Sequence, residues 1–252
     1  MTARLISIET RRLVTRGRFW IMVGLTAAVG VFNLLDEESL RFGGSFAIAG
    51  GLGFQGMAPL VAGVVSAGAL AEDRSRGFPA LLMSRGLSRG RYLAGKAVAM
   101  ALAAGAASLV ACVLILAAGA LLLPGGEIAG ERPPGPIPSL FAAQPLLNDL
   151  VAIGFLVLGT AGLATSGVLV GAVLPNEYVA AGVPFVITIA LLFLLSGSAT
   201  LLSPFTYLEL GREYVTVLPE SLLPVGGVIY WVCFALVTVA AGIVAAKWRE
   251  LQ

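Results

Sequence analysis

The sequence predicts an all-α integral membrane protein with six transmembrane helices, an N-terminal amphipathic interfacial helix and a charged cytoplasmic segment between spans 2 and 3. Three observations carry that expectation. Hydrophobic residues make up 58% of the chain and charged residues 12%, whereas soluble domains carry about 25% charged residues; mean hydropathy is +0.95. The apolar residues fall in runs long enough to cross about 30 Å of hydrocarbon, roughly 20 residues each. The charges between those runs segregate by sign, as the two faces of a membrane require.

Residues 1 to 18 are basic, and the apolar run that follows from Phe19 superficially resembles a signal peptide. No small-x-small cleavage site follows and Asp36-Glu37-Glu38 closes the run, so the segment is read as mature protein. Ile6, Leu13 and Trp20 recur at heptad spacing, with Arg4, Arg11 and Arg18 repeating on the opposite side. That pattern predicts an amphipathic helix at the cytoplasmic surface, although Leu5 and Ile8 blur its polar face. Apolar runs then predict spans near 19 to 35, 46 to 71, 97 to 123, 146 to 174, 179 to 195 and 225 to 246.

With the N-terminus inside, basic residues concentrate in three inner segments: 1 to 18, 72 to 96 and the tail from Lys247. Only Arg41, Arg132 and Arg212 remain outside, while Asp36, Glu37, Glu38, Glu127, Glu131, Glu209, Glu213 and Glu220 all fall on the outer side. The expected topology therefore places both termini in the cytoplasm, with the protein in the cell's inner (cytoplasmic) membrane. Residues 124 to 145 hold too many prolines for a helix. Residues 196 to 224, the outer loop before the last span, mix aromatics, prolines and charges and read as short interfacial helices or a solvated loop.

Composition also excludes function classes. Histidine is absent, which removes Ser-His relays and His-ligated metals. Cys112 and Cys233 lie in separate apolar runs and read as small buried hydrophobes. A formal charge of +2 gives no sign of nucleic-acid binding. No ionisable residue falls in the middle of a predicted span, which weakens a secondary-transporter reading. The many glycines, Gly50, Gly51, Gly53, Gly56, Gly63 and Gly68 in the second span and Gly154, Gly159, Gly162, Gly167 and Gly171 in the fourth, lie within spans and predict close helix packing or sliding surfaces, Gly167 and Gly171 making a small-xxx-small pair.

The long charged interruption, residues 72 to 96, holds the candidate chemistry. Gly90 to Lys96 matches most of a phosphate-binding loop, but Ala97 replaces the hydroxyl residue and no buried strand precedes it, so the match is read as coincidence. Phe78, Leu81 and Leu82 share one face of a short helix entered through Gly77 and Pro79 and broken at Arg85-Gly86. Such a helix is poorly stable alone and makes sense as a plug for a groove on a cytoplasmic partner.

The ordered series here is an acidic residue closing the second span, Arg-x-x-Gly, a Leu-Leu helix, a Ser-Arg pair and Tyr-Leu-x-Gly-Lys. It resembles the coupling-helix region of type-2 ABC exporter permeases. Glu72, Arg74, Gly77, Leu81, Leu82, Arg89, Tyr92, Gly95 and Lys96 match that pattern, whereas Ser84-Arg85-Gly86 departs from the small residue and proline usual after the helix. The resemblance implies the transmembrane subunit of an ATP-driven exporter, pairing with a second copy or a homologous permease. It also implies two copies of a separate ABC ATPase subunit. ATP and Mg²⁺ would then bind the ATPase, leaving this chain without catalytic residues, cofactor or metal. The implied ATPase contact is Glu72, Arg74, Gly77, Phe78, Leu81, Leu82 and Arg85. Small, apolar spans favour a hydrophobic or amphipathic cargo such as a lipid, drug-like compound or peptide. The competing expectation is a stand-alone channel, carrier or membrane assembly factor, for which the basic stretch is an ordinary inner anchor.

Overall fold

The computed structural model describes residues 2–36, 51–75, 77, 84, 86–122, 145–174, 176–195, 202–208 and 223–248. Among these every regular element is a helix: α1 (Thr2–Val14), α2 (Gly17–Asp36), α3 (Gly51–Ser75), α4 (Arg89–Leu122), α5 (Pro145–Val173), α6 (Glu177–Leu194), α7 (Pro204–Leu208) and α8 (Leu223–Trp248). Three of them contain segments long and apolar enough to cross a membrane: Arg89–Leu122, Leu150–Val173 and Pro224–Trp248. Shorter apolar helical stretches lie at Gly17–Asn33, Gly56–Ser66 and Tyr178–Leu191. Together these point to a membrane-embedded protein.

The N-terminal stripe breaks where α1 meets α2. Thr15 donates its backbone N–H and its Oγ1 to Arg11 O, and Phe19 N reaches back to Arg16 O, so the chain bends at Thr15 and Arg16. The bend ends the heptad after Leu13. Phe19 takes the buried place expected for Trp20, which is 56% exposed.

Helix α4 begins at Arg89, well before the predicted span start at residue 97. Its alanine-rich sequence has the highest helix propensity and no internal proline, so nothing stops it. At 1.5 Å per residue it is about 51 Å long, against about 30 Å of hydrocarbon. The helix is thus about 21 Å longer than the hydrocarbon is thick, and its charged residues, Arg89, Arg91 and Lys96, all fall in its first eight positions. Helix α6 starts where Asn176 Oδ1 accepts the N–H groups of Tyr178 (2.9 Å) and Val179 (3.2 Å), capping the helix.

Helix α5 is the hub, packing on α3, α4, α6, α7 and α8. Glycine makes its closest approaches possible. A Cβ at Gly162 would lie 2.5 Å from Trp231 Cε3, and one at Gly159 2.9 Å from Trp231 Cζ2, so the two residues form the seat of the α8 indole. Trp231 is 1% exposed and donates Nε1–H to Tyr207 O at 3.2 Å. Tyr207 stacks on Tyr230 at 4.2 Å, and all five residues of α7 are buried. Part of the 196–224 segment, Pro204–Leu208, is thus a short helix folded into the protein. Gly171 meets Leu70 of α3 in the same close manner.

The two cysteines part company. Cys112 is buried in α4, while Cys233 sits on the exposed side of α8; both are free thiols.

Candidate functional site

The end of α3, the start of α4 and the helix pair α1–α2 meet in a cluster of ionised side chains. Glu9 is the one acidic residue among the first 18, and it shares the face of α1 that carries Leu13. It is buried. Lys96, also buried, donates to Glu9 Oε2 at 2.6 Å and to Asp73 Oδ2. Tyr92, one turn before Lys96, donates its hydroxyl to the same Asp73 oxygen at 2.6 Å. Arg12 completes the arrangement, donating Nη1–H to Asp73 Oδ1 at 2.6 Å and approaching Glu9 and Glu72 at 3.6 Å. Glu72 in turn faces Arg16 at 2.6 Å and Arg18 at 3.3 Å.

The reason for this meeting is local. Leu5 of α1 lies 3.1 Å from where a Cβ of Gly95 would stand, so that glycine lets α1 lie directly on α4. Once α1 is seated, Glu9 and Arg12, on its inward side, reach across to Lys96 and Asp73. Each buried charge therefore has an opposite charge and hydrogen-bonded neighbours, the condition under which burial is tolerated.

Burial alone would raise the Asp73 carboxyl, but the Lys96 charge and the hydrogen bonds from Lys96, Tyr92 and Arg12 outweigh it and hold the group below its ordinary value of 3.8. Burial would likewise lower Arg12, and Asp73, Glu9 and Glu72 reverse that effect, leaving it above its ordinary value. Because the native value of Asp73 is depressed, its contribution to stability is complete above about 3.8 and disappears as pH falls through the native value. The stability difference between the protein and Asp73→Asn is therefore expected to be constant from neutral pH to about pH 5 and to shrink below about pH 4. Thermal unfolding in detergent across that range measures it.

The stretch from 72 to 96 thus divides into parts. Glu72 and Asp73 lie near the end of α3, and Tyr92, Gly95 and Lys96 belong to the start of α4, so the two ends of the stretch are joined through ion pairs and hydrogen bonds. Of the charges in this stretch, Glu72, Asp73 and Lys96 find partners among the N-terminal residues Glu9, Arg12 and Arg16. Arg74 lies in the last turn of α3. Gly77 (φ +67°) and Gly86 (φ +82°) take the left-handed conformation that glycine adopts without strain. They turn the chain sharply on either side of residues 78–85. Phe78, Leu81, Leu82 and Arg85 lie outside the described residues.

Sequence reasoning placed no weight on Glu9, Arg12, Asp73 or on Lys96 as a buried cation. One signal was present: an acid on the apolar face of α1. Its partner lies 87 positions away, and no local pattern encodes that pairing. Among the described residues the acidic groups form no set suited to a metal ion; their oxygens are turned to Arg and Lys.

The fold and the cluster define a class no narrower than an all-helical, membrane-embedded protein with an ionic clamp at one end of its bundle. No protein-family model matches the chain, and no curated protein sequence matches it.

Proposed function

We propose that this chain is the transmembrane subunit of an ATP-driven exporter of the type-2 ABC class, with six spans and a coupling helix at residues 78 to 82. The observation that carries the reading is the clamp between the two helices that flank that segment in the sequence. Gly77 and Gly86, on either side of this segment in the sequence, are both left-handed, and the helices α3 and α4 before and after it are locked to each other by Asp73 with Tyr92 and Lys96. Both are locked to α1 through Glu9 and Arg12. A force applied to the segment by a closing ATPase dimer moves α1, α3 and α4 together instead of being absorbed by a loose loop. Spans of two permease copies then rock against each other and open a path for a hydrophobic or amphipathic cargo.

Leu81→Arg or Leu82→Arg is expected to abolish co-purification of an ATPase subunit, or to remove the permease-dependent part of its ATPase rate. Arg85→Ala should do much less, since an exposed ion pair contributes about 0–1 kcal/mol. Unchanged assembly and unchanged ATPase rate in both leucine variants would remove the assignment.

One observation favours a second reading. Glu72 and Lys96, both in the matched motif, spend their charges inside the chain. A stand-alone channel, carrier or assembly factor needs no more from them than that. Affinity purification of the tagged chain separates the two readings, because only the first brings an ATPase with it.

A further inference from the structure

A lateral groove of about 800 Å³ runs between α4, α5 and α8. Its walls include Ala94, Leu102 and Leu109 of α4, Gly154 and Leu158 of α5, and Leu236 of α8. Thr165 is the lone hydroxyl residue in the lining, and its Oγ1 is already engaged by Gly162 O (2.6 Å) and Thr238 Oγ1 (2.8 Å). The groove therefore offers an occupant no hydrogen bond, and only an apolar body fits it. From Ala94 to Leu109 it extends about 22 Å along α4, more than half of the ~30 Å hydrocarbon thickness.

Its chemistry changes at one end. Arg91 stands about three turns before Leu102, and Lys247 about three turns after Leu236. Both cations therefore stand on the groove side of their helices, and at the same end of the bundle, where Gly242 of α8 packs on Val168 of α5, Gly171 of α5 on Leu70 of α3, and Asp73 of α3 pairs with Lys96 of α4. Both are exposed, and neither pairs with a carboxylate among the described residues. Trp248, 70% exposed, sits beside Lys247 as an aromatic of the kind that settles at headgroup level. An apolar channel closed at one end by two cations is complementary to an anionic amphiphile: chain in the channel, phosphate at the cations.

We propose that this groove is a binding site for an anionic phospholipid of the adjoining leaflet, with an acyl chain along α4, α5 and α8 and its phosphate between Arg91 and Lys247. The site rests on the membrane-embedded fold and not on the exporter reading, so it goes beyond that proposal and survives its failure.

The test is native mass spectrometry of the full chain in mild detergent with equal amounts of phosphatidylglycerol and phosphatidylcholine of the same acyl composition. No ATPase or nucleotide is present, so the outcome is independent of any transport activity. The protein is expected to retain phosphatidylglycerol in preference, by about fivefold for each cation engaged. Arg91→Gln with Lys247→Gln, two exposed positions that do not disturb the core, should bring the two lipids to parity. A side chain at Gly154 meets no atom within 4 Å of its Cβ, so Gly154→Leu projects into the groove and should reduce retention of both lipids at unchanged oligomer mass. Parity in the unmodified protein, a preference that survives the double glutamine variant, or full retention in Gly154→Leu would each overturn the proposal. Loss of a dimer in Gly154→Leu with lipid retention intact would assign the groove to a second copy of the chain and overturn it as well.

Discussion

Replacing Lys96 with methionine is expected to cost about 3–5 kcal/mol of stability, the range found when one member of a buried ion pair is removed. Methionine fills most of the space, so packing is not the main loss. The cost arises because Glu9 and Asp73, both almost fully buried, then share only Arg12 among the cations of the described residues close to them. Two buried carboxylates left with one cation in place of two repel each other more strongly, which costs free energy. Denaturant-induced unfolding in detergent, followed by circular dichroism, measures the loss. The combined variant Glu9→Gln, Asp73→Asn, Lys96→Met should recover most of it, because neither buried carboxylate remains charged and the partly exposed Arg12 keeps Glu72 at 3.6 Å as its counter-charge. If Lys96→Met alone is as stable as the unmodified protein, the cluster is open to water and does not clamp the helices.

Gly63→Val is expected to be the most damaging glycine substitution in the bundle. A Cβ there would fall on the carbonyl oxygen of Ala181, with the carbonyl carbon at 3.2 Å and Pro184 Cδ at 3.6 Å. The obstacle is backbone, so no rotamer change relieves it; α3 and α6 must move apart. Overpacking costs about 1–3 kcal/mol where side chains yield, and this contact should reach or exceed the upper end. Gly56, two turns earlier on the same helix, meets nothing within 4 Å of its Cβ. Gly56→Ala should therefore be neutral or stabilising by up to about 1 kcal/mol, through helix propensity alone. Equal effects at the two positions would mean that α3 slides freely on α6. That outcome would favour moving surfaces over fixed packing as the reason for the glycines.

The same contrast separates what could be read in the chain from what could not. Glycine inside an apolar run signals a close approach, and four of the predicted positions, Gly63, Gly159, Gly162 and Gly171, make one, whereas Gly56 and Gly154 meet nothing within 4 Å. Which helix approaches is not encoded locally: Ala181, Leu208, Trp231 and Leu70 are each distant in sequence from the glycine they meet.

By itself the sequence determined helicity, the places of the apolar helices and their ends near residues 36, 122, 173 and 194, because hydrocarbon length and apolar periodicity are local properties. It also determined the sharp turns at Gly77 and Gly86, where a glycine precedes or follows a short helical pattern. Only the tertiary structure decided the fate of the charges. Arg12, Asp73 and Lys96 read along the chain as an inner basic surface with scattered acids. In the fold they neutralise one another under α1, because helix packing brings three distant segments within hydrogen-bond distance and excludes the water that would otherwise have solvated them.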